Sequence, residues 1–200
     1  MIRTVIGGLV GGIILFVMGF IFWATPLSEL AFSKAGDAEG AAVQAALAQN
    51  LTKTGTGTYE IPYAGTPQGT TLYGKGPIAT VHFNTSGFSS EDMGMLLPGF
   101  IVAVVTGLLM AFGLAAVGGG GRSFAGVARL VVLYSLGFTT WAYLAMPIFA
   151  HHGWGHYIYS FIAESVSLIL AGLVIARWFL PAAHSVPYRE AAAAETREAA

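Results

Sequence analysis

The sequence predicts a membrane α-helical protein, a four-transmembrane-helix bundle with a small extracytoplasmic α+β insert between helices one and two. Three observations carry that prediction. Four apolar stretches, 4–23, 97–117, 130–149 and 158–179, are each about 20 residues long. At about 1.5 Å of rise per residue, each can cross a hydrocarbon core about 30 Å thick. The 200 residues are 55% hydrophobic and only 10% charged, with a mean hydropathy of +0.69, which excludes an ordinary soluble domain and a disordered chain. The positive charges are also partitioned. Arg3, Arg122, Arg129, Arg177, Arg189 and Arg197 lie beside span ends, whereas Lys34, Lys53 and Lys75 all fall between spans one and two. The positive-inside bias then places both termini and the short middle loop in the cytoplasm and the insert outside.

Span one (1–24 with its flanks) follows a single Arg, as a signal peptide would. Its apolar run is longer than a typical h-region and no small-x-small site directly follows Trp23, so it is read as an uncleaved membrane helix. Gly7, Gly8, Gly11 and Gly12 give it two small-xxx-small pairs, a spacing that lets helix backbones approach closely. That face is expected to pack a helix of the same bundle, with a dimer or partner-docking face as the alternative. Pro26 is expected to stop the helix.

The insert, 25–95, divides in two. Asp37 is expected to cap a helix over about 38–51, whose Val43, Leu47 and Leu51 make only a narrow apolar stripe. Beyond Gly55 the pattern alternates, and two or three short antiparallel strands are expected within about 58–83, among them 58–63, 70–73 and 77–83. So small a sheet is marginal alone and needs something to pack against. The chain has no cysteine, so no disulfide supports the insert, and Fe–S clusters, zinc thiolates and thiol catalysis are excluded throughout.

Spans two to four occupy 96–180. Span two ends in Gly118-Gly119-Gly120-Gly121, which lacks the lysine and hydroxyl of a phosphate loop. Span three is expected to stop at Pro147. Trp23, Trp141, Trp154 and Trp178 fall near predicted ends, as interfacial anchors do. The tail, 181–200, reads as a cytoplasmic segment with a candidate helix from Arg189.

One constellation suggests chemistry. His152, His156, Ser160 and Glu164 recur every four residues, and would share one face if span four began near His152. Glu164 then lies inside the membrane, where an ionisable side chain faces the bundle interior and marks a functional site by default. With His151 it completes a His/Glu set suited to a metal, or the histidines to haem; a proton or quinone site is a further reading. The competing reading leaves the histidines in water and bonds Glu164 to a hydroxyl such as Thr139, Thr140 or Tyr143. No HExxH, Ser-x-x-Lys or Gly-x-Ser-x-Gly is present, and no catalytic residue is assigned. Glu91 and Asp92 read as a solvated helix approach. Asn50-Leu51-Thr52 and Asn84-Thr85-Ser86 match the glycosylation pattern by chance, given an Ala/Gly-rich composition that looks bacterial. Tyr59, Tyr63, Tyr73 and Phe83 could form a sugar- or peptide-binding surface, or the packed face of a small sheet.

The chain resembles a family of four-helix inner-membrane proteins of proteobacteria. The resemblance rests on Gly7-Gly8-Leu9-Val10-Gly11-Gly12 running into Phe16, on Gly57-Thr58-Tyr59-Glu60-Ile61-Pro62 and on Gly76-Pro77-Ile78-Ala79. It implies an inner-membrane location and no catalytic residue. The topology is also similar to claudin-like proteins, but their paired cysteines and Trp-Gly-Leu-Trp motif are missing, so only architecture is shared. The expected function is a non-enzymatic accessory or scaffolding subunit of a larger membrane complex. Its expected partners are the lipid bilayer and other membrane subunits or copies of itself, with no nucleic acid and no cofactor. The alternatives are a metal- or haem-binding redox protein built on His151, His152, His156 and Glu164, and a small oligomeric transporter or channel using Glu164.

Overall fold

The computed structural model describes residues 1–89, 92–118 and 123–180. In chain order the elements are α1 (Ile2–Trp23), a 3-10 segment (Pro26–Ala31), α2 (Asp37–Leu51), β1 (Gly57–Ile61), α3 (Pro67–Lys75), β2 (Ala79–Phe83) and a 3-10 turn (Met93–Met95). They continue with α4 (Leu96–Gly118), α5 (Phe124–Thr139), a π-helical turn (Thr140–Leu144), α6 (Ala145–Phe149) and α7 (Trp154–Trp178). Two compact units result. One combines Met1–Phe32 with the chain from Gly94 onward; the other is Ser33–Met93.

The first unit is a helical bundle. Four of its helices, Ile2–Trp23, Met93–Val117, Phe124–Phe149 and Trp154–Trp178, are long and apolar enough to cross a membrane. α1 lies between α4 and α7, and α7 packs on α5. Glycine sets the first of these contacts. A Cβ on Gly8 would stand 2.7 Å from the Leu108 Cα, and one on Gly12 would stand 2.6 Å from the Val104 Cα. On α4, a Cβ at Gly107 would collide with the Gly8 carbonyl and the Gly12 amide. Gly7 and Gly11 turn the other way, onto Phe179 and the Ile175 side chain. All four glycines therefore meet neighbouring atoms of the same chain inside the bundle.

The buried residues of α7 are Ser160, Ala163, Ser165, Ser167, Ala171, Gly172 and Ile175. Small side chains line the seams because helix association in lipid depends on close packing rather than on hydrophobic expulsion from water. Larger apolar groups point outward: Leu97, Val102 and Leu109 on α4, and Leu133 and Phe138 on α5, are exposed on the surface where lipid would lie. A hydrophobic cluster of Ala111, Val127, Ile175 and Leu180 joins α4, α5 and the end of α7. The arginines gather at that end of the bundle. Arg3 donates to the Trp178 carbonyl at 3.0 Å, and the Arg177 guanidinium lies 5.9 Å from the centre of the Phe124 ring.

Three expected boundaries move. Span three starts at Phe124 rather than 130, because Ser123 caps it by accepting from the Gly126 amide at 3.3 Å. It also passes through Pro147 to Phe149 instead of stopping there. Proline has no amide hydrogen and crowds the carbonyl four residues earlier, here that of Tyr143. The π-helical turn directly before α6 widens the backbone at that point and lets the helix continue. Span four starts at Trp154, four residues before the apolar run begins.

The Ser33–Met93 unit is held by hydrogen bonds more than by packing. β1 and β2 are antiparallel, pairing Gly57 with Phe83 and Ile61 with Ala79. Tyr59 and Phe83 meet edge to face at 6.3 Å, and the Tyr59 hydroxyl donates to the Gly55 carbonyl at 2.7 Å. Residues 70–73, expected as a strand, are helical within α3. Thr66 caps that helix by accepting from Gly69, and Pro67 stands at its first turn, where a missing amide costs nothing. Gly36, not Asp37, is the cap position of α2, and Asp37 is its first helical residue. Glu91, Arg122, Gly119–Gly121 and the tail with Arg189 and Arg197 lie outside the described residues.

Candidate functional site

The site lies in the bundle, at the end opposite the arginines, and α7 supplies its spine. Because α7 begins at Trp154, His152 is not helical, and the four-residue stripe reduces to His156, Ser160 and Glu164. His151, at φ 55°, occupies the left-handed region at the corner leading to α7. His152 turns back to stack on Tyr157, with 5.3 Å between rings and 2.5 Å between Nδ1 and the phenol oxygen. Ser160 bonds its own helix, donating to the His156 carbonyl at 2.9 Å.

His156 faces the end of α1. There Thr25 caps the 3-10 segment, with its hydroxyl bonded to the Ile21 carbonyl at 2.5 Å, and the chain folds back so that Ala31 and Phe32 lie over α7. His156 Nδ1 lies 3.3 Å from the Ala31 carbonyl oxygen. A carbonyl only accepts, so Nδ1 carries the hydrogen and Nε2 is the acceptor of the neutral ring. The imidazole packs between aromatic rings, 5.3 Å from Phe32 and 6.1 Å from Trp23. Tyr159 holds the same corner: its hydroxyl donates to the Phe22 carbonyl at 2.6 Å and its ring meets Trp23 at 5.3 Å.

Glu164 follows Trp154 by ten residues, about 15 Å along a helix about 37 Å long. An ionised side chain near the middle of a membrane-spanning helix costs about 2.5–3.5 kcal/mol on insertion scales. The Trp23 indole and the Tyr143 phenol, on the π-helical turn, both lie within electrostatic reach of the Glu164 carboxyl. Thr139, expected as a partner of Glu164, instead bonds the neighbouring residue, with 2.7 Å between its hydroxyl and that of Ser165. Thr139 also donates to its own helix at the Ser135 carbonyl, 2.8 Å away, so this polar pair is satisfied within the α5–α7 seam.

Among the described residues no three His, Cys, Asp or Glu side chains are placed to hold one metal ion. His151, His152, His156 and Glu164 are near in sequence, but His152 and His156 have separate partners and Glu164 lies two turns below His156. What the fold assembles is different: a carboxyl edged by an indole and a phenol, with Tyr159, His156 and Phe32 closing around the indole. No protein-family model, curated protein or solved structure matches this chain. The chemistry of the site therefore rests on its own geometry.

Sequence reading finds Glu164 and His156, and offers Tyr143 as a neighbour of the carboxyl, but misses the aromatic groups around them. Trp23 reads as an interfacial anchor, and Phe32 and Tyr159 carry no motif. The one available signal is the proline-terminated end of span one, since a chain that stops there can fold back over its neighbours.

Proposed function

We propose that this protein is a non-enzymatic accessory or scaffolding subunit of a larger complex in a bacterial inner membrane. In this reading both termini are cytoplasmic and the Ser33–Met93 unit is extracytoplasmic and docks on another subunit. One observation carries it: among the described residues of that unit, only Gly69 is buried. α2 contains no buried residue, and Val43 is 58% exposed. A two-stranded sheet and short helices without a core are marginal in water. A partner surface supplies the missing burial, with up to about 1.5–3 kcal/mol for each aliphatic side chain such as Val43 or Leu72 that it covers.

The test is purification from native membranes in a mild detergent, followed by sizing and by labelling of a Val43→Cys variant. The expected result is a complex larger than the 20.9 kDa chain, in which Cys labelling is slower than in the isolated protein. A lone monomer with equal labelling in both states overturns the proposal.

A further inference from the structure

We propose that the 3-10 segment Pro26–Ala31 is a membrane-surface anchor. It lies in the interfacial zone of the leaflet at the end of the bundle opposite the arginines, with Leu27 and Leu30 set among the lipid acyl chains. The inference is independent of the docking proposal, since every residue it uses belongs to the unit that holds the helical bundle.

The period of the segment sorts its side chains onto three faces. A 3-10 helix has about three residues per turn, so side chains three apart eclipse one another. One face, Thr25, Ser28 and Ala31, is the one the fold holds. The Thr25 hydroxyl bonds the Ile21 carbonyl at 2.5 Å, the Ser28 hydroxyl donates to the Thr25 carbonyl at 2.9 Å, and Ala31 is buried. The Ala31 carbonyl oxygen also meets His156 Nδ1 at 3.3 Å, which ties the end of the segment to α7. A second face, Leu27 and Leu30, is apolar and open, at 44% and 71% exposed. The third carries Pro26 and Glu29, both exposed. The segment is therefore amphipathic, with its leucine face turned away from the bundle.

Its place in the chain identifies what covers that face. Along α1, Leu9, Ile13, Val17 and Phe20 recur at three- or four-residue spacing as an exposed apolar stripe, which suits lipid along the span. The segment begins at Pro26, less than one helical turn beyond the end of that span at Trp23. Leu27 and Leu30 thus carry exposed apolar surface past the span to the level where it meets the headgroups. Aromatic rings, which favour that level, gather there: Phe32 lies 6.5 Å from Trp23, and half-exposed Trp154 opens α7. A protein partner fits less well. A stable interface buries about 800 Å² on each side, and two leucines with Phe32 offer only a fraction of that. Acyl chains need no matching surface. An amphipathic segment in the interface sinks its apolar face about 5–10 Å into the boundary between headgroups and chains, and leaves charge such as Glu29 among the headgroups. An anchor so placed fixes where the chain leaves the membrane after its first span.

The experiment uses the full chain in lipid nanodiscs, one copy per disc, with single cysteines introduced into a chain that has none. Leu27→Cys, Glu29→Cys, Leu30→Cys and, on the exposed side of α4, Leu109→Cys are each labelled with the fluorophore NBD. Separate discs carry a nitroxide at the lipid headgroup, near the carbonyl end of the acyl chain or near the chain's middle, and iodide is the quencher in water. The probes at 27 and 30 should lose most of their emission to the nitroxide near the carbonyl end and be shielded from iodide. The probe at 29 should be quenched by the headgroup nitroxide and by iodide, and the probe at 109 most by the deepest nitroxide. Leu27 and Leu30 share one face, so either variant decides the matter if the other fails to fold. Iodide quenching at 27 and 30 as strong as at 29 puts the leucines in water and overturns the proposal. Shielding from iodide and from every lipid nitroxide, the mark of a protein cover, overturns it too, as does a depth at 27 and 30 equal to that at 109.

Discussion

Adding a single methyl group at Gly12 should drive α1 and α4 apart. The new Cβ would sit 2.6 Å from the Val104 Cα, 2.9 Å from the Ala103 carbonyl oxygen and 3.0 Å from the Val104 amide nitrogen. All three are backbone atoms, so no rotamer change relieves the contact. Carbon atoms rest at about 3.5–4.0 Å, so the helices must separate by roughly 1 Å at the crossing. Overpacking of this kind costs typically about 1–3 kcal/mol, and Gly12→Ala falls in that range, offset by the gain of up to about 1 kcal/mol in helix propensity. Gly113→Ala makes the matched control on α4. Its new methyl would find nothing within 4 Å, and the substitution should be neutral or slightly stabilising. The assay is equilibrium or thermal unfolding in detergent, with size-exclusion chromatography run alongside. Should Gly12→Ala be as stable as Gly113→Ala while an oligomer dissociates, the glycine face would be intermolecular and the packing described above would be wrong.

Two further outcomes are expected. Thr139→Val removes the buried hydroxyl pair with Ser165 at nearly constant volume, and should destabilise the bundle by about 0.6–1.7 kcal/mol, as interhelical hydrogen bonds in membranes do; a change below that, measured by the same unfolding assay, would mean that Ser165 finds an equal partner on its own helix. Because the chain lacks cysteine, Ser86→Cys and Ser123→Cys each carry one thiol, and a membrane-impermeant maleimide applied to intact cells should label the first and spare the second; the reverse pattern would invert the proposed orientation.

Much of the bundle is legible in the sequence because hydropathy and charge are local sums. The 2–23 span needs no knowledge of its neighbours to be apolar and long enough, and the gathering of arginines at one set of span ends is visible before any helix is placed. Helix α2 is equally local, since alanine-rich helical propensity resides in the segment itself. Strand against helix at 70–73 is not, because Thr, Leu and Tyr suit either; the decision came from Thr66 and Pro67, which start a helix just upstream. The start of α7 escaped the apolar pattern for a similar reason. Helices extend past the residues that face lipid, and Trp154, Gly155 and His156 are helical without belonging to the hydrophobic run.

Partners are another matter. The glycine spacing of α1 states that something approaches closely, but whether it is α4, α7 or a second chain depends on helix rotation and crossing, which a linear pattern does not encode. The same holds for Glu164. Its intramembrane position follows from counting residues along α7, and Tyr143 is among the hydroxyls the sequence offers it, while the indole near it comes from Trp23, far away in the chain. The sequence by itself determined which segments suit the membrane and which ends carry the positive charge, because those depend on the free energy of transferring each segment on its own. Only the tertiary structure decided what each glycine touches and what surrounds the carboxyl, because those depend on the relative rotation and crossing of helices distant from one another in the sequence.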